Sequence, residues 1–210
     1  MPMVTTQAQG ILSFIQQAES LKKHLRTAWS SDGRHESIAE HTWRMSLLAM
    51  CLLPYEQELN PAKVLKICLI HDLGEACEGD VSAILSEDKD NKAIREKVCL
   101  DQLLQSLEPQ LRGEFLSLWQ EYNEGHSAEA KFVRGVDKLE TLIQHNQGLN
   151  PVNLDFAFNL EYGSEWTSRS ETLSVLRTLI DNETSENAKK DKLKADADGH
   201  TTPNHAQNTP

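Results

Sequence analysis

The segment 61–70, Pro-Ala-Lys-Val-Leu-Lys-Ile-Cys-Leu-Ile, is apolar on almost every face and runs directly into His71-Asp72. Asn60 and Pro61 supply a cap residue and a first-turn proline, so the segment reads as a helix. A helix without a broad polar face belongs in the middle of a protein. The rest of the chain must therefore wrap around it. It must also accommodate a histidine and an aspartate at the interior end of that helix.

The flanking segments have a pattern suited to wrapping. Apolar residues recur at helical spacing in Ile11, Phe14, Ile15, Ala18, Leu21 and Leu25, then in Ile38, Met45, Leu48 and Leu52. Ser37 with Glu40 three residues later is a capping box for the second stripe. Ile94, Val98, Leu103, Leu104 and Leu107 continue the pattern to Pro109, and Leu111, Phe115, Leu118, Trp119 and Tyr122 resume it. Gly125-His126-Ser127 marks a turn, with Ser127 placed to cap the next helix. That helix carries Ala130, Val133, Val136, Leu139 and Ile143, and a last one carries Leu173, Leu176, Leu179 and Ile180. Residues 74–86 read as a loop or broken helix. Residues 148–168 are irregular, but Phe156, Phe158, Tyr162 and Trp166 suit a loop packed on the body. No strand-like alternation and no internal repeat is visible. The expectation is one all-α helical bundle over residues 1–181. Beyond it, Leu193 is the one large apolar residue, so 182–210 reads as a polar, disordered tail.

Composition removes several classes of function. No apolar run approaches the ~18–20 residues needed to cross a bilayer. The N-terminus lacks the basic start and apolar stretch of a signal peptide. These features point to a cytoplasmic protein without a membrane partner. Lys+Arg number 21 against 32 Asp+Glu, a net charge of −11. That balance disfavours a nucleic acid polymer as partner. It still allows a small phosphorylated ligand held at a local positive site, such as a bound metal cation. Cys51, Cys68, Cys77 and Cys99 form no C-x-x-C pair, so reduced thiols are expected.

Polar residues interrupt the apolar stripes at particular places. His41 lies within the stripe of Ile38 and Met45, His71-Asp72 ends the most apolar helix, and Asp137 follows Val133 and Val136. Each has an ordinary explanation taken alone. Together they form a set of two imidazoles and two carboxylates on three helices. Burying an unpaired carboxylate costs several kcal/mol, and one divalent cation would satisfy all four. Such a donor set suits Mn, Fe, Co, Ni or Zn, and suits Mg less well. One geometric obstacle stands: neighbours on a helix point about 100° apart, so His71 and Asp72 share an ion only at their common edge.

His41, His71-Asp72 and Asp137 resemble the H…HD…D signature of HD-domain metal-dependent phosphohydrolases. Longer stretches resemble one subgroup, the YfbR-like 5′-deoxynucleotidases and their eukaryotic relatives. These are Glu-Ser-Ile-Ala-Glu-His-Thr-Trp-Arg-Met at 36–45, His-Asp-Leu-Gly-Glu at 71–75 with Gly79-Asp80, and Ser-Ala-Glu-Ala-Lys-Phe-Val at 127–133 with Val136-Asp137-Lys138. The resemblance covers roughly residues 12–179. It implies an HD-domain bundle with its metal site in the interior, and His41, His71, Asp72 and Asp137 as ligands. It implies that Glu75 and Asp80 stand beside the metal, activating the attacking water or helping hold a second ion, and that Arg26 and Trp29 line the nucleotide site. Lys138 is a further candidate for a phosphate contact. The implied substrate is a small nucleotide, a (deoxy)nucleoside 5′-monophosphate cleaved to nucleoside and phosphate. Departure of the 5′-oxygen needs a proton, which Glu75 or Asp80 could handle. Relatives in this subgroup are often dimers, so a homodimer is one implied assembly. Two alternatives fit the same residues: hydrolysis of di- or triphosphates, and a metal- or nucleotide-binding sensor without turnover.

Overall fold

The computed structural model describes residues 2–79, 89–151 and 154–199. The chain forms a helical bundle, as its periodicity predicts. Helix α1 (Thr5–Ala18) leads through a 3₁₀ turn at Glu19–Lys22 into a small hairpin, β1 (Leu25–Trp29) and β2 (His35–Ser37). The strands are antiparallel, with Leu25 opposite Ser37 and Trp29 opposite His35. Then come α2 (Ile38–Leu52), α3 (Pro61–Ile70), a 3₁₀ turn at Leu73–Ala76 and α4 (Lys89–Leu103). The remaining helices are α5 (Pro109–Glu124), α6 (Ala128–Gln147), α7 (Phe156–Glu161), α8 (Ser164–Thr167) and α9 (Glu171–Gly199).

Local chemistry sets the ends of the helices that carry the site. Ser37 caps α2 by accepting from the Glu40 amide, while Glu40 accepts from the Ser37 amide at 2.8 Å. Asn60 accepts from the Lys63 amide and Pro61 opens α3. Ser127 accepts from the Ala130 amide at the start of α6. Between α5 and α6 the chain reverses at Gly125, whose φ of 62° is left-handed and favours glycine.

Glu40 gives the first of these caps a pH signature. Its carboxylate takes two bonds from Arg34 and one from the Ser37 amide, and these partners hold its pKa at about 2. A carboxyl depressed on folding adds stability above its unfolded pKa and loses it as pH falls toward the folded value. The difference in unfolding midpoint between wild type and Glu40→Gln should therefore be present at pH 6 and shrink between about pH 4.5 and 2, which thermal melts will read.

The interior follows from α3 and α6. Val64, Ile67 and Cys68 on α3 pack with Val133, Val136, Leu139 and Leu142 on α6, with Met45 of α2, and with Leu100 and Leu104 beyond α3, all fully buried. Helix α2 packs on α3 and α6, and α3 also packs on α5. Arg177 of α9 ties down the segment after α6. Its guanidinium donates to the carbonyls of Asn159, Leu160 and Tyr162 and pairs with Asp181.

Several expectations need correction. The hairpin was not visible as alternation, because its strands are only five and three residues long. Ile11, Ile15, Ile94, Val98 and Leu179 face outward, so the apolar stripes of their helices run in a different phase from the one the spacing suggested. The boundary expected at 182 falls inside α9, which continues to Gly199. Thr184 is fully buried there and donates to Asn146, and Asn187 also donates to the Asn146 carbonyl. Polar contacts, not apolar ones, extend the helix. The tail from 200 onward lies outside the described residues. Finally, Cys77 and Cys99 are not free thiols but a disulfide, with Cα atoms 5.9 Å apart, between the 3₁₀ turn and α4. Cys51 and Cys68 remain free.

Candidate metal centre

Three helices deliver their polar interruptions to one place. His41 comes from the second turn of α2, His71 from the C-cap of α3, and Asp137 from the middle of α6. All three are buried, and their ligand atoms lie within 4.8 Å of one another. His41 Nε2 is 3.2 Å from Asp137 Oδ1 and 3.8 Å from Asp72 Oδ2. Asp72 Oδ2 is 3.1 Å from His71 Nε2. The structure thus gathers all four residues named from the sequence.

The neighbouring residues His71 and Asp72 meet at their common edge. Helix α3 stops at Ile70, and Asp72 sits at φ −99°, ψ 8°, outside helical geometry. Asp72 Oδ2 still comes within 3.1 Å of His71 Nε2. Both imidazoles are oriented from behind. His71 Nδ1 donates to the Cys68 carbonyl at 2.8 Å, which turns Nε2 toward the cluster. His71 Nε2 is nevertheless buried without a directed hydrogen bond. His41 Nδ1 donates to Glu140, a fully buried carboxylate one turn after Asp137.

The electrostatics favour a cation here. Burial opposes ionisation of Asp72 and Asp137. Opposite charges overcome it: His71 and His41 hold Asp72 at about 2, and Lys138 with both imidazoles holds Asp137 well below the carboxylate range. Burial and the Arg26 charge oppose protonation of His41, yet Glu140 and Asp137 raise its pKa to about 10. The residues fit a metal on two grounds. Two imidazole nitrogens and two carboxylates are a good donor set for a divalent transition ion. His71 Nε2 is buried and makes no well-directed hydrogen bond even to Asp72 Oδ2 at 3.1 Å, a geometry that suits a shared ion.

Behind His41 lies a layer that sequence reasoning missed. Glu140 accepts from Arg44 Nε at 2.7 Å and lies 3.5 Å from Arg26. Arg26 also donates to Glu36 at 3.0 Å and to Thr141 at 3.1 Å. Glu36, His41 and Glu140 approach closely enough to hold an ion, but Arg26 and Arg44 already place positive charge there. The available signal was the spacing of Asp137 and Glu140, two acids three apart on one apolar helix face.

The other named residues are placed as follows. Glu75 is buried on the 3₁₀ turn and paired with Lys92 of α4 at 3.1 Å. Asp80 lies outside the described residues. Arg26 is built into the network just described. Trp29, at the end of β1, packs against His35 with ring centroids 4.5 Å apart and planes tilted by 41°. Lys138 bonds Asp137 Oδ2 at 2.9 Å and Tyr162 at 3.1 Å. Gly163, at φ 69°, gives the Lys138 stem room that a Cβ would take.

A sequence profile of the HD domain matches residues 18–176. The chain belongs to the HD domain family. It is 34% identical over 142 residues to the human 5′-deoxynucleotidase HDDC2, covering 67% of this chain and 69% of that protein. It is 32% identical over 148 residues to the 5′-deoxynucleotidase hdd1 of Schizosaccharomyces pombe, covering 68% and 74%. Among solved structures, a predicted metal-dependent phosphohydrolase from Magnetospirillum magnetotacticum MS-1 superposes with a TM-score of 0.73 at 27% identity, over 86% of this chain and 96% of that one. The PH0347 protein from Pyrococcus horikoshii OT3 gives 0.63 at 26% identity, over 83% and 98%. The predominantly helical fold is thus the fold of this family. Among the described residues, no helix is long and apolar enough to cross a membrane.

Proposed function

We propose that this chain is a metal-dependent phosphohydrolase that cleaves (deoxy)nucleoside 5′-monophosphates to nucleoside and phosphate. The convergence of His41, His71, Asp72 and Asp137, with their buried nitrogens and carboxylate oxygens turned toward one another, carries the reading. The names of its relatives support a 5′-monophosphate as the substrate.

In this reading the four residues hold one divalent cation, Mn, Co, Fe, Ni or Zn in preference to Mg. Such a cation, when bound, makes a nucleophilic hydroxide available near neutral pH and polarises a phosphoryl oxygen. The protein supplies the rest. Glu140 and the Cys68 carbonyl keep each imidazole in the tautomer that presents Nε2. Glu75 handles the proton that the departing 5′-oxygen needs, alone or with Asp80. Lys138 meets phosphate oxygens, and Arg26 and Trp29 line the nucleotide side. The net charge of −11 suits an enzyme acting on small molecules rather than on a nucleic acid polymer.

Phosphate release should be measured from ribo- and deoxyribonucleoside mono-, di- and triphosphates with Mn or Co added, and with metal content assayed on the same sample. The expected result is release from monophosphates. Stoichiometric metal without release from any nucleotide would favour a sensor and overturn the enzymatic reading.

Glu75 has its own expected result. Glu75→Gln keeps the side-chain volume but loses the titrating group, so turnover should fall by about 10²–10⁴ while bound metal stays near the wild-type level. Equal losses of metal and turnover would make Glu75 a ligand instead.

A further inference from the structure

Tyr122 reads from the sequence as part of an apolar stripe, after Leu118 and Trp119 on α5. Its hydroxyl does something else. It donates to Asp137 Oδ2 at 2.9 Å. Its ring also stands edge-on to the His71 imidazole, with centroids 5.0 Å apart and planes at 67°. One side chain therefore touches two of the four candidate ligands, and it comes from a helix that contributes none of them.

The bond matters because of how the Asp137 carboxylate is shared. Oδ2 receives both the Tyr122 hydroxyl and the Lys138 ammonium, each at 2.9 Å. Oδ1 is the oxygen that faces His41 Nε2, at 3.2 Å. Two donors arriving on one oxygen fix the plane of the carboxylate and leave the other oxygen toward the centre. Outer partners of this kind hold a ligand in one orientation and tune its affinity for metal. The two donors are not equivalent. Lys138 brings a positive charge that competes with a cation for the same carboxylate. The phenol is neutral, so it orients Asp137 without that competition.

Tyr122 is itself held in place. Arg134, on α6 one turn before Asp137, donates from Nε to the Tyr122 carbonyl at 2.7 Å. The Arg134 guanidinium lies 5.2 Å from the centre of the Tyr122 ring and 4.6 Å from that of Trp166. The last turn of α5 is thus fastened to the helix that carries Asp137. A phenylalanine would fill the same volume, so packing alone does not account for a hydroxyl here. A buried hydroxyl is costly unless it is bonded, and its partner is a candidate ligand.

We propose that Tyr122 is a positioning residue of the metal centre, presenting Asp137 to a divalent cation through Oδ1 alone. The proposal rests on the metal reading above. Full-length wild type and Tyr122→Phe, stripped with a chelator, should be titrated with Mn²⁺ by calorimetry, and metal-free unfolding midpoints recorded for both. The expected result is Mn²⁺ binding weakened by about 10- to 100-fold with the metal-free midpoint unchanged. Tyr162→Phe removes a phenol that touches Lys138 but not Asp137, and should change the affinity less than twofold. Equal Mn²⁺ affinity in wild type and Tyr122→Phe would overturn the role of Tyr122 and leave the metal reading standing. Equal losses in both tyrosine variants would overturn it too, by moving the effect to Lys138. A Tyr122→Phe chain that fails to fold would make the hydroxyl structural, which also overturns the proposal. Wild type that binds no Mn²⁺ would remove the metal reading itself.

Discussion

Asp72→Ala should lose phosphate release and bound metal together while the chain stays folded. Asp72 is the most exposed of the four candidate ligands, at 19% of its side chain, and it sits where α3 breaks rather than in the packed interior. Its removal takes away one anionic ligand and leaves His41, His71 and Asp137 in place. Metal acting on a phosphoryl group supplies several kcal/mol, and at about 1.36 kcal/mol per decade the expected fall in turnover is on the order of a thousandfold or more. Metal content after desalting should fall in parallel. Unchanged turnover in this variant would remove Asp72 from the site.

Glu140→Ala should instead damage the fold. Glu140 is fully buried and answers three cationic groups: His41, Arg44 and Arg26. Opposing desolvation, His41 and the two arginines hold its carboxyl at about 2. Deleting it strands those positive groups around a hole. Breaking a buried ion pair from one side costs about 3–5 kcal/mol, which denaturant titration will read directly. Glu140→Gln keeps the volume and an acceptor for the His41 N–H. It should fold better, yet bind metal about 10- to 100-fold more weakly, because a neutral amide supports the imidazole less than a carboxylate does. Wild-type metal affinity in Glu140→Gln would show that His41 needs no anionic partner.

The contrast between these variants shows what the sequence could and could not reveal. The four candidate ligands were legible because each is a polar residue in an apolar stripe, and because the flanking text matched a family. The caps of α2, α3 and α6 were legible because Ser37, Asn60 and Ser127 act through bonds to residues three positions on. Glu140 was not, since a glutamate on a helix is usually a solvated one and its partners Arg26 and Arg44 are about a hundred residues away. Tyr122 was taken for packing because a ring at helical spacing says nothing about where its hydroxyl goes. The partner of a cysteine is likewise invisible in spacing. Helix α9 outran its expected end because Asn146 holds Thr184 and Asn187 by hydrogen bonds, and hydropathy counts no such contacts.

The Cys77–Cys99 bond turns residues 78–98 into a covalent ring. Glu75 stands just outside that ring, and Asp80 is a member of it. Closing a loop of this size restricts the unfolded chain by about 3 kcal/mol in the entropy account. It also changes what a cut means: a chain severed at any peptide bond within the ring stays one molecule, and its pieces part only after a thiol reductant has opened the sulfur link.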